Sequence, residues 1–158
     1  MKARIEYAEA APAAFQAMRA FEEYVHRCGL DPTLLELIKI RASQINSCAF
    51  CLDMHTKDAR AQGETEQRIY ALSAWRETPF FTEKERAALA WTETVTLVAQ
   101  SQVPDEIYEL ARKHFDEREL VNVTAAIIAI NGWNRFSVSF RKVPGTYQSA
   151  QHRAQVSK

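Results

Sequence analysis

Glycine and proline are scarce in this 158-residue chain, with 4 and 5 residues. Sheet-rich folds draw on both for their many tight turns, so the scarcity points to long helices. Charge of one sign is missing too. Twenty Lys and Arg balance twenty Asp and Glu, and the formal net charge is zero. A nucleic-acid-binding surface normally carries a basic excess, so no nucleic-acid partner is expected. Zero net charge also leaves little self-repulsion and permits association. No apolar run reaches the length of a membrane span, so no membrane partner is expected. Met1–Ala11 carries Lys2, Arg4, Glu6 and Glu9 and lacks the apolar middle of a signal peptide. The expected compartment is therefore the reducing cytoplasm, where a structural disulfide is disfavoured. Cysteine is rare as well. Of the three, Cys48 and Cys51 lie close together, a spacing that in this compartment points to redox chemistry or metal.

What is present reads as one helical domain. Hydrophobic residues make up 47% and charged residues 25%, an ordinary globular balance. Phe15, Met18, Phe21 and Val25 recur at helical steps over 11–28, and Gly29 is a stop. Asp31-Pro32 opens a second helix, apolar on nearly every side through Leu34, Leu35, Leu37, Ile38 and Ile40. The run 43–47 breaks it. Asn46 or Ser47 is expected to cap a third helix from about Cys48 to Gln62, with Gly63 ending it. A fourth is expected over Thr65–Trp75. Thr82 to Glu85 has the form of a capping box, opening a long helix that takes in Val95 and Val98. Another begins at Pro104 and runs to about Phe115, and a last runs from Glu117 to Phe140. The expectation is an all-α, single-domain bundle of about seven helices, with an N-terminal segment 1–14 and a tail 141–158 that is loosely ordered from Pro144-Gly145 onward.

The chemistry concentrates between Glu36 and His55. Cys48 and Cys51 stand at i and i+3, and His55 at i+4 from Cys51, all on one helix face. Two thiols so spaced can close a disulfide. A helix start at Cys48 offers free N–H groups and a dipole that favour its thiolate. An imidazole one turn beyond Cys51 can take its proton. Glu36 is twelve residues before Cys48, about 18 Å away on a straight helix. A chain reversal near Ile45-Asn46 would instead bring Glu36 opposite His55, where a carboxylate can orient the imidazole.

The same residues carry a resemblance. Glu36, eleven residues, Cys48-x-x-Cys51, three residues and His55 resembles the signature of the alkylhydroperoxidase D-like (AhpD-like) branch of the carboxymuconolactone decarboxylase family. Lys39 through Asn46, Asp53-Met54, Phe81-Thr82, Glu85, Trp91-Thr92-Glu93 and Asn131 to Arg135 agree with it, over roughly residues 15–140. The resemblance implies an all-α fold and a thiol-dependent peroxidase that reduces hydroperoxides through a Cys48–Cys51 dithiol/disulfide cycle without a cofactor. It implies attack by Cys51, resolution by Cys48 and a Glu36–His55 proton relay. It also implies a homo-oligomer, trimer or hexamer, and a lipoylated or thioredoxin-like electron donor. Helix position alone favours Cys48 as the more reactive thiol. One residue departs from the pattern: the best-known members have histidine inside the Cys-x-x-Cys, where this chain has Phe50.

Each residue also has a plainer reading. Cys48 and Cys51 could be inert core thiols, or zinc ligands with His55 and Glu36. In that case the chain would be a redox sensor, a metal clamp or a structural oligomer. Cys28 reads as a packed helix-end residue. His26, His114 and His152 read as surface or packing residues. Trp91, Trp133 and Phe136 read as core or subunit interface, and Asn134-Arg135 as structural.

Overall fold

The computed structural model describes residues 1–149; the end of the expected tail, including His152, lies outside them. The described residues are all-helical, with no strand among them. A single turn, α1 (Tyr7–Ala10), leads into α2 (Pro12–Arg27). Next come α3 (Pro32–Ile45), α4 (Ala49–Ala61) and α5 (Glu66–Ala71), the last running on into a 3₁₀ segment, Leu72–Glu77. After these follow α6 (Glu83–Thr96), a second single turn α7 (Val98–Ser101), α8 (Asp105–Arg112) and α9 (Glu117–Phe140). The count exceeds the expected seven because of the single turns and a break in the long helix at Leu97, which leaves Val98 exposed and outside α6.

α3 is the axis of the bundle. It packs on α4, α6 and α9, and nine of its residues are buried, including Glu36, Lys39 and Ser43. Its start follows the local code: the Asp31 carboxylate accepts from the Leu34 N–H at 2.9 Å, with Pro32 in the first turn. Capping boxes at Thr82/Glu85 and Asp116/Glu119 start α6 and α9. On one side of α3, Leu34 and Ile38 meet Ala88, Trp91, Phe115 and Ile127. On the other, Leu37 and Ile40 meet Ala59, Leu72, Trp75 and Leu89. Ala126 and Ala129 let α9 approach Val25 and Leu35 closely.

The N-terminal segment and the described residues after α9 fold onto this body. The Arg4 N–H bonds the Phe140 carbonyl, and Tyr7 packs on Phe15, Phe136 and Phe140. Beyond α9 the chain lies back along α4. The Gly145 N–H donates to Asp53, Lys57 donates to the Tyr147 carbonyl, and the Tyr147 hydroxyl donates to Asp58. The expectation of a loose chain from Pro144-Gly145 onward is therefore corrected for 144–149. Three polar ties to α4, invisible to local pattern, hold that strap. No described helix is long and apolar enough to cross a membrane.

Candidate active site

The α3–α4 turn creates the site. Ser47 takes a left-handed backbone (φ 53°), and the Cys48 N–H bonds back to the Ser43 carbonyl at 2.9 Å. The helix cap is Cys48 itself, with extended backbone and no side-chain cap bond, not Asn46 or Ser47 as expected. Asn46 is used otherwise. Its side-chain N–H groups hold the Ala42 carbonyl and the oxygens of Asn131 and Asn134, tying the turn to α9. Asn134 in turn donates to Ser43.

The reversal brings Glu36 and His55 together as expected. His55 Nδ1 lies 2.9 Å from Glu36 Oε2, with both side chains buried. Cys48 and Cys51 are each 1% exposed and pack with Ala42 and Ile130. Neither is joined in a disulfide in this structure. A hydrogen bond from the Cys51 thiol is the main force holding Cys48 down at about 7, against burial, with help from Ser137 and Asn134. The same bond, then burial and the Cys48 charge, push Cys51 far up. Cys48 is thus the more acidic thiol of the pair.

Access runs the other way. A cavity of about 380 Å³ opens onto Cys51, Glu36 and His55, and Cys48 is not part of its wall. Tyr7, Phe15, Phe50, Trp133 and Tyr147 supply its aromatic faces. Phe50 also packs against the thiol cluster, so the departure inside the Cys-x-x-Cys is an apolar wall.

Several residues here escaped the sequence reading. Lys39 is 1% exposed and lines the cavity, donating to Glu22 at 2.6 Å. Burial disfavours a charge on Glu22, but the bonds and charges of His26 and Lys39 outweigh it and draw its carboxyl down to about 2. Glu22 also accepts from the Trp133 indole N–H at 3.0 Å. Trp133 and His26 therefore belong to the cavity and not simply to packing. Asp58, Ser137 and Tyr147 also line it. The signal that could have found Asp58 is its i+3 position from His55; Lys39 and Tyr147 had none.

Glu36, His55 and Asp58 have donor atoms within 4.8 Å of one another, and among the described residues they are the group able to hold a metal. The thiols do not join them, so Cys48, Cys51, His55 and Glu36 do not form one ligand set.

Comparison with known proteins agrees with this geometry. Residues 12–94 match the carboxymuconolactone decarboxylase family. An uncharacterized protein of Bacillus subtilis, YdfG, is 48% identical over 88% of this chain and 95% of its own length. Another from Escherichia coli, YnjA, is 31% identical over 70% of this chain and 60% of its own. A solved Agrobacterium tumefaciens structure has a TM-score of 0.90 and 49% identity, covering 92% of this chain and all of that one. That protein is of unknown function and has been suggested to be the antioxidant defence protein AhpD.

Proposed function

The chain is an AhpD-like member of the carboxymuconolactone decarboxylase family, and from that premise we propose that it is a thiol-dependent peroxidase reducing organic hydroperoxides. The observation that carries this reading is the single cavity onto which Cys51 and the Glu36–His55 pair both open. The suggested antioxidant role of the Agrobacterium protein points the same way.

In this reading the hydroperoxide enters beside Cys51. Cys51 sulfur attacks the terminal peroxide oxygen, an S–O bond forms, and the O–O bond breaks. The thiol proton passes by way of His55 to the departing alkoxide, which leaves as an alcohol. Glu36 fixes the imidazole ring through Nδ1 throughout. Cys48, the more acidic of the two thiols, attacks the Cys51 sulfenic acid as its thiolate. The S–S bond forms and hydroxide leaves. Acidity and access divide the labour: the cavity-facing thiol attacks, and the acidic thiol behind it resolves. A dithiol or thioredoxin-like donor then restores the pair.

The test is cumene hydroperoxide consumption by pre-reduced protein, with thiols counted before and after. Wild type is expected to lose two thiols per chain. Cys51→Ser should consume no peroxide, and Cys48→Ser should stop at a sulfenic acid that dimedone traps. Wild-type thiols that survive excess peroxide would overturn the reading and favour a non-peroxidatic redox or structural role.

A further inference from the structure

We propose that the cavity takes an aryl hydroperoxide that carries a carboxylate, its ring held among the aromatic side chains and its carboxylate held by Arg19 at the cavity's edge. This inference names the substrate of the peroxidase reading and rests on it. Volume is the first observation. About 380 Å³ is the size of a small-molecule pocket and far more than hydrogen peroxide occupies. The aromatic faces are the second. Phe50 and Trp133 line the cavity and also pack against Cys48, Cys51 and Ile130. From Trp133 the rings continue to Phe15, edge-on with centroids 5.7 Å apart, and from Phe15 to Tyr7 at 6.2 Å. A flat apolar body can lie against such rings stacked or edge-on.

Arg19 supplies the charge. Phe15, Arg19, Glu22 and His26 follow one another at helical steps along α2, and all four line the cavity. The acids of the wall are engaged: Glu22 with Lys39, His26 and Trp133, Glu36 with His55, and Asp58 with Tyr147. Of the cations in the wall, Lys39 is taken by Glu22 and Lys142 by Glu6. Arg19 is exposed and has no hydrogen-bond or ion-pair partner among the described residues. An open guanidinium beside an aromatic cavity suits a carboxylate, which it can hold through two parallel N–H bonds. One free positive charge among paired acids also suits a single negative charge. Cys51 and Arg19 border the same cavity, so a ligand with its hydroperoxide and carboxylate at opposite ends of a ring addresses both.

The experiment measures second-order rate constants for thiol oxidation in the pre-reduced full chain. The probes are para-carboxycumene hydroperoxide, its methyl ester and tert-butyl hydroperoxide, each rate divided by that of free cysteine with the same probe. The acid is expected to react about tenfold faster than the ester at low salt, and the excess should shrink as salt rises, because the guanidinium is exposed. Arg19→Gln should bring the acid-to-ester ratio close to one, and Arg19→Lys should keep part of it. Arg27→Gln, on the same helix but outside the cavity wall, should keep the wild-type ratio. The ester should react severalfold faster than tert-butyl hydroperoxide, and Phe15→Leu should narrow that gap. A wild-type acid-to-ester ratio of one would overturn the proposal, as would equal loss of the ratio in Arg19→Gln and Arg27→Gln. An ester no faster than tert-butyl hydroperoxide would overturn it too. In each of these cases the loss of two thiols to the probes would leave the peroxidase reading standing. Wild-type thiols that survive all three probes would remove that reading and this inference together.

Discussion

Ser137 is a buried hydroxyl on α9 whose Oγ accepts from the Cys51 thiol at 3.8 Å and also bonds Cys48. It is one of the polar groups that stabilise the thiolate. Ser137→Ala removes one such bond, worth about 1 kcal/mol, without altering the backbone. The Cys48 titration, followed by thiolate ultraviolet absorbance, should move from about 7 toward about 8. An unchanged titration would show that Asn134 and Cys51 suffice. At this scale the sequence was partly legible. Cys48, Cys51, His55 and Glu36 were found because helix periodicity and one reversal convert their spacing into proximity. Lys39, Trp133 and Tyr147 were not. Lys39 looked like an ordinary helix lysine between Ile38 and Ile40, and only the approach of Glu22 from α2 makes its burial tolerable. Tyr147 reaches Asp58 across 89 positions of chain.

Among the elements, those with local start signals were read well. The capped starts of α3 and α6 fell where Asp31-Pro32 and Thr82 indicated, and α9 begins at Glu117 as expected. Segments shaped by distant partners were not. The chain after Leu72 tightens into a 3₁₀ segment, and its end is held by Arg86, which donates to the carbonyls of Trp75, Arg76 and Thr78. The α3–α4 turn depends on Ser47 in a left-handed conformation, which costs a non-glycine residue roughly 1 kcal/mol. Ser47→Gly should therefore stabilise the protein by up to about 1 kcal/mol in urea unfolding. A loss of stability would mean that the serine side chain has an unseen use. The strap tied to α4 through Gly145 and Tyr147 makes a second prediction. Its Tyr147 lines the cavity onto which Cys51 opens, and both thiols are buried. In a Cys28→Ser background, Tyr147→Ala should speed Cys51 labelling by a bulky maleimide severalfold more than labelling by iodoacetamide. Equal effects on both reagents would mean that the strap does not limit access.

At the scale of the whole molecule, a buried ion pair adds to the apolar layers where three helices meet. Glu22 on α2 joins Lys39 on α3 and Trp133 on α9, so three helices meet at a single carboxylate. The all-helical class was legible from composition and periodicity, whereas this meeting point was not, because periodicity says which face is apolar and not which helix covers it. The pair makes acid stability a direct readout of the packing. The Glu22 carboxyl lies at about 2 in the fold, against an ordinary value of 4.5. A depressed folded value stabilises fully above the ordinary one and loses that stabilisation as pH falls through the folded one. Stability should thus decline between about pH 4.5 and about 2, by on the order of 3 kcal/mol from this group. Asp58, pushed the other way, works against the decline by gaining its proton more readily in the fold. Lys39→Met leaves Glu22 without its buried partner and should cost about 3–5 kcal/mol in urea unfolding at neutral pH. Adding Glu22→Gln should restore much of that loss and flatten the acid limb, because the group that titrates is gone. If Lys39→Met alone were neutral, or if the double variant kept the wild-type acid decline, the three helices would be held by their apolar contacts and the ion pair would be incidental.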